Sequence, residues 1–387
     1  MTINNFDIDE FLQHYWQKKP LLIRNAFPDF DNPISAEELA GLACEEQVES
    51  RLIKGNNNDG YELANGPLEE SIFKSLPETE WTLLVQAVDH YSPEVAALLN
   101  HFRFIPNWRI DDVMVSYATT GGSVGPHFDN YDVFLLQGAG TRRWQLGKTY
   151  DSQSARQKND QLLLLADFET QQEWILEPGD MLYIPPQISH WGIAEDDDCM
   201  TYSVGFRAPS QSEILADFCD HQIAQLTEDS RYTDTELTPQ QNPGEIHMDV
   251  ILSVQQLLRS HIGNTANIAE WFGRFMTQPK YFDEDHLDDQ FTEQEIADFL
   301  EQNEEMYRDG AARFAFSQLD NQTLFYANGL SYPCKSSQSK AFAELLAATD
   351  SYSCAEVKKL ISDNESFTLL ETLLNQGSVY FDEELFD

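Results

Sequence analysis

The chain has 387 residues, 41% hydrophobic and 12% aromatic, enough for two or three packed cores. Its 24 basic and 66 acidic residues leave a net charge of −42, a surface that repels phosphate backbones and argues against direct DNA binding. No apolar run approaches the roughly 18 residues of a membrane span, and five scattered cysteines without a Cys-x-x-Cys pair fit reduced cytoplasmic thiols rather than a cysteine zinc site.

The opening MTINNFDIDEFLQHYWQKKP has no apolar core ahead of a cleavage site, so no signal peptide is expected. Helical patterns follow in IDEFLQHYWQ (8–17), SAEELAGLAC (35–44) and WTLLVQAVDHYSPEVAALLNHF (81–102). Strand signals then succeed one another: DDVMVSYAT (111–119), YDVFLLQG (131–138), TRRWQLG (141–147), EWILEPGDMLYIPP (173–186) and CMTYSVGFRAP (199–209). Strands of this length with Gly/Pro turns between them predict an antiparallel barrel or sandwich over residues 1–208. Residues 209–286 read as helical, with SEILADFCDHQIAQL (212–226) and the 248–276 stretch separated by the loop TPQQNPGE. Such helices pack either on a second subunit or on their own barrel; the pattern alone leaves both open. Residues 287–387 mix helices (292–302, 339–349, 355–362, 368–376) with short strands (312–318, 322–329, 378–383), a winged-helix-like α+β arrangement. This last zone holds 6 basic and 20 acidic residues, which disfavours a DNA-reading role.

Three His-x-Asp pairs occur, so context must choose among them. His247 and Asp249 open a helical pattern, where residues two apart point in nearly opposite directions. His286 and Asp288 lie in the acidic stretch DEDHLDDQ, with nothing to fix them. His127 and Asp129 precede a β-rich run, and in an extended chain residues two apart share a face. A third ligand is offered by EPGDMLYIPPQISH, in which a turn, a strand and a rigid Pro185-Pro186 bend lead to His190. Two histidines and one carboxylate on a barrel face form the facial triad of non-haem Fe(II) oxygenases, leaving positions for a bidentate co-substrate and O₂. In Thr141-Arg142-Arg143-Trp144 one arginine must point inward. An inward guanidinium suits the distal carboxylate of 2-oxoglutarate, and Ser203 can add a hydroxyl.

Together HFD (127–129), RRW (142–144), EPGDMLYIPPQISH (177–190) and YSVGFRAP (202–209) resemble the bacterial ribosomal oxygenases of the JmjC group, which are Fe(II)/2-oxoglutarate arginine hydroxylases. WQKKPLLIRNAF (16–27), VESRL (48–52) and WRIDDVMVSYAT (108–119) extend the resemblance over essentially the whole chain. It implies a double-stranded β-helix (JmjC, cupin-like) catalytic domain, a helical dimerisation region and a winged-helix-like domain. His127, Asp129 and His190 would then bind iron. Arg142, fifteen positions after the first iron histidine, would hold 2-oxoglutarate, assisted by Ser203. The substrate implied is an arginine of a large-subunit ribosomal protein, hydroxylated at its β-carbon and gripped by Asp112 and Tyr131. The choices between Asp111 and Asp112, and between Ser116 and Tyr117 at the pocket rim, stay open. Rival expectations are a demethylase-type or small-molecule dioxygenase, a cupin-like binding module without turnover, and a winged-helix transcription factor with a sensory barrel.

Overall fold

The computed structural model describes residues 3–157, 162–235, 237–281, 290–320 and 322–381. The chain divides into two compact units between Ala208 and Pro209.

In the first unit α1 (Ile8–His14), β1 (Leu21–Ile23) and α2 (Ala36–Leu42) precede a hairpin of β2 (Ser50–Asn56) and β3 (Gly60–Asn65). Asp7 caps α1, and Ser35 with Glu38 forms a capping box on α2. The short helix α3 (Glu70–Phe73), β4 (Trp81–Val85), α4 (Pro93–Ala96) and β5 (Ile110–Ala118) follow. The remaining strands are β6 (Val133–Ala139), β7 (Arg142–Thr149), β8 (Gln172–Leu176), β9 (Met181–Ile184), β10 (Ile188–Ala194) and β11 (Cys199–Phe206).

These strands form an eight-stranded sheet, ordered β1-β9-β6-β11-β5-β4-β2-β3, and a three-stranded sheet, β10-β7-β8. One face of the large sheet carries Val113, Val115, Phe134, Leu136, Tyr183 and Val204, buried against Phe11, Leu39, Val95 and Phe102 of the N-terminal helical segments. From the other face Val133, Leu135, Leu182 and Ile184 pack with Trp144, Leu146 and Leu176 of the small sheet. Burial on both faces explains why β9 and the Val133–Leu136 part of β6 read as continuous apolar runs.

The helix expected over 81–102 is corrected. Trp81–Val85 is a strand, and helix in this stretch is confined to α4 and the 3₁₀ turns Val88–His90 and Ala97–Phe102. Pairing decides it: β4 bonds to β2 on one side and β5 on the other, which buries Leu83 and Val85. Ser92 caps a fresh turn and Pro93, lacking an N–H, starts it.

In the second unit come the helices α5 (Gln211–Ile223), α6 (Met248–Ile262), α7 (Thr265–Met276) and α8 (Glu293–Gln302). The 248–276 pattern is two helices, because Asn264 accepts from the backbone N–H of Ala266 and Asn267 and so begins α7 anew. Next are β12 (Glu305–Arg308), β13 (Phe314–Leu319), β14 (Gln322–Ala327), β15 (Leu330–Cys334) and α9 (Ser337–Ala348). The unit ends with β16 (Ser351–Ser353), α10 (Cys354–Leu360), α11 (Asn364–Asn375) and β17 (Val379–Phe381). Leu300, Phe325, Phe342, Leu346, Val357 and Leu370 build its core. On α7 Gly273 has no side chain because the Tyr326 ring occupies that space, and the Tyr326 hydroxyl donates to the Ala269 carbonyl oxygen at 2.9 Å. Among the described residues no helix is long and apolar enough to cross a membrane.

Candidate metal centre and co-substrate pocket

Two segments remote in sequence lie side by side at the site. The extended run leading out of Gly125 meets β10, with His127 N–H donating to His190 O at 3.1 Å and His190 N–H to His127 O at 2.8 Å. Gln187, at φ 67° after the Pro185-Pro186 bend, donates its N–H to Asp129 O at 2.6 Å. Asp129 Oδ2 consequently stands 3.4 Å from His190 Nε2 and 4.0 Å from His127 Nε2, and the imidazole centroids are 4.3 Å apart. Cis ligands at about 2.1 Å from one ion stand about 3 Å apart, so small side-chain rotations close the set.

Both histidines have the orientation a ligand needs. His127 Nδ1 lies 2.9 Å from Gly125 O and His190 Nδ1 3.0 Å from Ile188 O. A proton held at Nδ1 by a carbonyl turns the Nε2 lone pair toward the shared point. Burial, reinforced by the neighbouring His127 and opposed by Asp129, pushes the His190 imidazole down to about 4, which keeps it neutral and able to ligate near pH 7. Among the described residues this is the only cluster of three or more His, Cys, Asp or Glu with metal-ligand spacing. His247 and Asp249 do approach, at 3.1 Å, because His247 caps α6 from outside the helix; among the described residues no third ligand joins them. His286 and Asp288 lie outside the described residues.

The triad lines a cavity of about 440 Å³ between the two sheets, shared with Met114, Ser116, Leu135, Arg142, Trp144 and Ser203. Arg142 is buried, 6% exposed, whereas Arg143 points outward to Glu195 at 2.7 Å. The Arg142 guanidinium donates to Ser116 Oγ at 3.2 Å and lies 5.7 Å from the Trp144 ring centroid. Its Nε has no hydrogen-bond partner among the described residues, and no carboxylate pairs with it there. Trp144 in turn lies over Gly192, where any Cβ would strike the indole at 2.7 Å, and 5.9 Å from the His190 ring. Ser203, opposite Met114 and Leu135 in the large sheet, presents its hydroxyl to the same space.

Strand alternation resolves the choice between Ser116 and Tyr117, whereas neither Asp111 nor Asp112 lines the cavity. Ser116 faces the cavity; Tyr117 faces away, its hydroxyl donating to Asp197 O at 2.8 Å. Asp112 shares the face of Met114 and Ser116 but is buried beyond the cavity lining, its Oδ2 accepting the Ala87 N–H at 2.9 Å. Tyr131 sits at the mouth, 43% exposed. The Asp129 charge foremost, with the charges of Asp112 and Asp111 behind it, pushes its phenol well above the ordinary range. Sequence reading missed the wall formed by β2 and β4, which brings Arg51, Ile53, Leu84 and Gln86 to the cavity. The β-rich Trp81-Thr-Leu-Leu-Val was the available signal, masked by the helical spacing downstream.

Comparison with known proteins agrees with this geometry. The family model described as JmjC domain matches residues 97–214, and one described as ROXA-like winged helix matches residues 258–380. The ribosomal protein uL16 3-hydroxylase of Escherichia coli is 36% identical over 375 residues, 96% of this chain and 97% of that protein. The X-ray structure of E. coli YcfD superposes with a TM-score of 0.88 at 34% identity, covering 98% of this chain and 99% of that one. The same E. coli ribosomal oxygenase in complex with cobalt and 2-oxoglutarate gives a TM-score of 0.86 with the same coverage and identity. With a cupin-like JmjC sheet domain, a winged helix and homology along nearly its whole length, the chain belongs to the JmjC ribosomal oxygenase family.

Proposed function

We propose that the protein is an iron(II)- and 2-oxoglutarate-dependent hydroxylase of an arginine β-carbon in a large-subunit ribosomal protein. The observation that carries the reading is the buried Arg142, with no carboxylate partner among the described residues, in one cavity with two Nε2-directed histidines and Asp129. His127, Asp129 and His190 hold the iron. Arg142 takes the distal carboxylate of 2-oxoglutarate through paired charge-assisted hydrogen bonds, with Ser116 and Ser203 beside it. Bound together, iron and 2-oxoglutarate would supply the oxidant, with one atom of O₂ ending in succinate as CO₂ is lost and the other in the substrate. The chain's own work is positioning and exclusion of water. Trp144, Leu135, Val133 and Met114 wall the cavity, and the fixed Arg142 sets how far the co-substrate reaches. At the mouth Tyr131 grips the substrate guanidinium, with the Asp112 charge behind it. A net charge of −42 attracts a basic ribosomal protein, and the relative's name supplies the substrate class. Incubation with iron(II), 2-oxoglutarate and ribosomal proteins, followed by peptide mapping, gives a stable +16 Da on one arginine. Loss of a methyl group, or a modified small molecule, overturns the assignment.

The same reading includes a homodimer formed through residues 209–286 and a cytoplasmic site of action, where ribosomes are. α6 buries none of its residues in this chain, and Ile251, Leu252, Leu257, Leu258 and Ile262 are exposed along it. A second copy covers this face. The excess of acid in the winged-helix zone supports protein contact rather than DNA binding.

A further inference from the structure

The N-terminal Trp16-Gln17-Lys18-Lys19-Pro20 motif takes no part in the chemistry above, yet it reaches the back of the metal-ligating run. Asp132, directly after Tyr131, is fully buried. Its Oδ1 accepts the Tyr183 hydroxyl at 2.6 Å, and its Oδ2 accepts Gln17 Nε2 at 3.0 Å and Arg109 Nη2 at 3.4 Å. The Tyr183 hydroxyl accepts the Gln17 backbone N–H at 2.7 Å, and the Asp132 carbonyl oxygen accepts the Phe206 N–H at 3.1 Å. Arg109 is itself fixed, its Nε donating to Arg207 O at 2.7 Å and its guanidinium 5.5 Å from the Trp16 ring. The turn after α1, the 3₁₀ turn ahead of β5, and β9 thus converge on the Asp132 carboxylate, while the end of β11 holds its backbone.

Asn130 and Tyr131 are exposed, so Asp132 is the first buried anchor on the C-terminal side of Asp129. A buried carboxylate is costly, and apolar packing alone would hold the strand. What three directional bonds add is a fixed rotation of the run, within the roughly 0.5 Å that a metal and substrate site tolerates. We infer that Asp132, held by Gln17, Arg109 and Tyr183, is a positioning residue that aims Asp129 at the metal and Tyr131 at the substrate. This rests on the roles proposed above for Asp129 and Tyr131.

The test compares wild type with Asp132→Asn, Gln17→Ala and the double change Asp132→Asn with Gln17→Glu. Cobalt(II) affinity by calorimetry needs no turnover, and the succinate formed per hydroxylated peptide reports how well substrate is aimed. In Asp132→Asn the new amide faces two donors, so cobalt binding weakens about tenfold or more and succinate outruns hydroxylation. In the double variant the carboxylate introduced at position 17 accepts from the new amide and faces Arg109, which restores both readouts. Gln17 is exposed, so Gln17→Ala folds even where Asp132→Asn does not, and it weakens cobalt binding about threefold. Wild-type cobalt affinity and coupling in both single variants, with or without a lowered Tm, overturn the inference, as does a double variant no better than Asp132→Asn. Wild-type protein that binds cobalt but hydroxylates no ribosomal peptide overturns the functional reading instead.

Discussion

Replacing Arg142 by methionine separates co-substrate recognition from stability. The side chain is 6% exposed, its protein hydrogen bond goes to a neutral hydroxyl, and Nε lacks a partner among the described residues. No protein carboxylate there is left stranded by its removal, so the metal-free protein escapes the roughly 3–5 kcal/mol lost on breaking a buried ion pair. The 2-oxoglutarate carboxylate, by contrast, enters the same buried space and loses its cation. Truncating one partner of a buried, hydrogen-bonded charge pair costs about 2–5 kcal/mol, which is roughly 30-fold to a few-thousand-fold in Kd. Anaerobic calorimetry with cobalt(II) and 2-oxoglutarate measures the loss, and urea unfolding of the metal-free protein measures stability. Arg142→Lys, which keeps the charge but not the planar fork, falls between. Unchanged 2-oxoglutarate affinity in Arg142→Met would refute the reasoning, because another cation would then be holding the carboxylate.

Asp129→Ala removes the sole carboxylate of the triad from a half-buried position. Succinate release coupled to peptide hydroxylation is abolished while unfolding free energy stays within about 1 kcal/mol; persistent coupled turnover contradicts the ligand role. His190, at about 4 when folded against about 6.5 unfolded, is neutral in the native state while the unfolded chain takes up the proton first. Stability of the metal-free protein is therefore full above pH 6.5 and falls by about 3 kcal/mol as pH drops toward 4. Unfolding curves of His190→Gln flatten over that window, and parallel curves for the two proteins would show that the imidazole is not the source. Leu258→Glu with Ile251→Glu places two charges on the bare face of α6. Each lost side chain removes about 1.5–3 kcal/mol of apolar burial on association, so light scattering reports a monomer. An unchanged mass means that the second copy docks elsewhere.

The spacing in His127-Phe128-Asp129 and the alternation in Arg142-Arg143 are local properties, and an extended backbone converts them directly into shared or opposite faces. For the same reason the strands β5 to β9 and β11 and the helices α5 and α8 to α11 were legible, each with its own period, caps or turns, whereas β10 was not read as a strand and α6 and α7 were read as one stretch. Local pattern failed at Trp81–Val85, where apolar residues satisfied a helical period yet the backbone bonds to β2 and β5. Which of two neighbours faces the cavity was likewise undetermined at Ser116 and Tyr117, since register depends on the strands alongside.

By itself the sequence determined which chemical groups were present and which adjacent ones shared a face. Only the tertiary structure decided that His190 hydrogen-bonds back to back with His127, that Arg142 is buried with no carboxylate partner among the described residues, and that Gln17 supports Asp132 from 115 residues away. The physical reason is that such contacts are made between strands and across sheets. Their geometry comes from closing long loops and packing both faces of β6, β9 and β11, which no window of consecutive residues encodes.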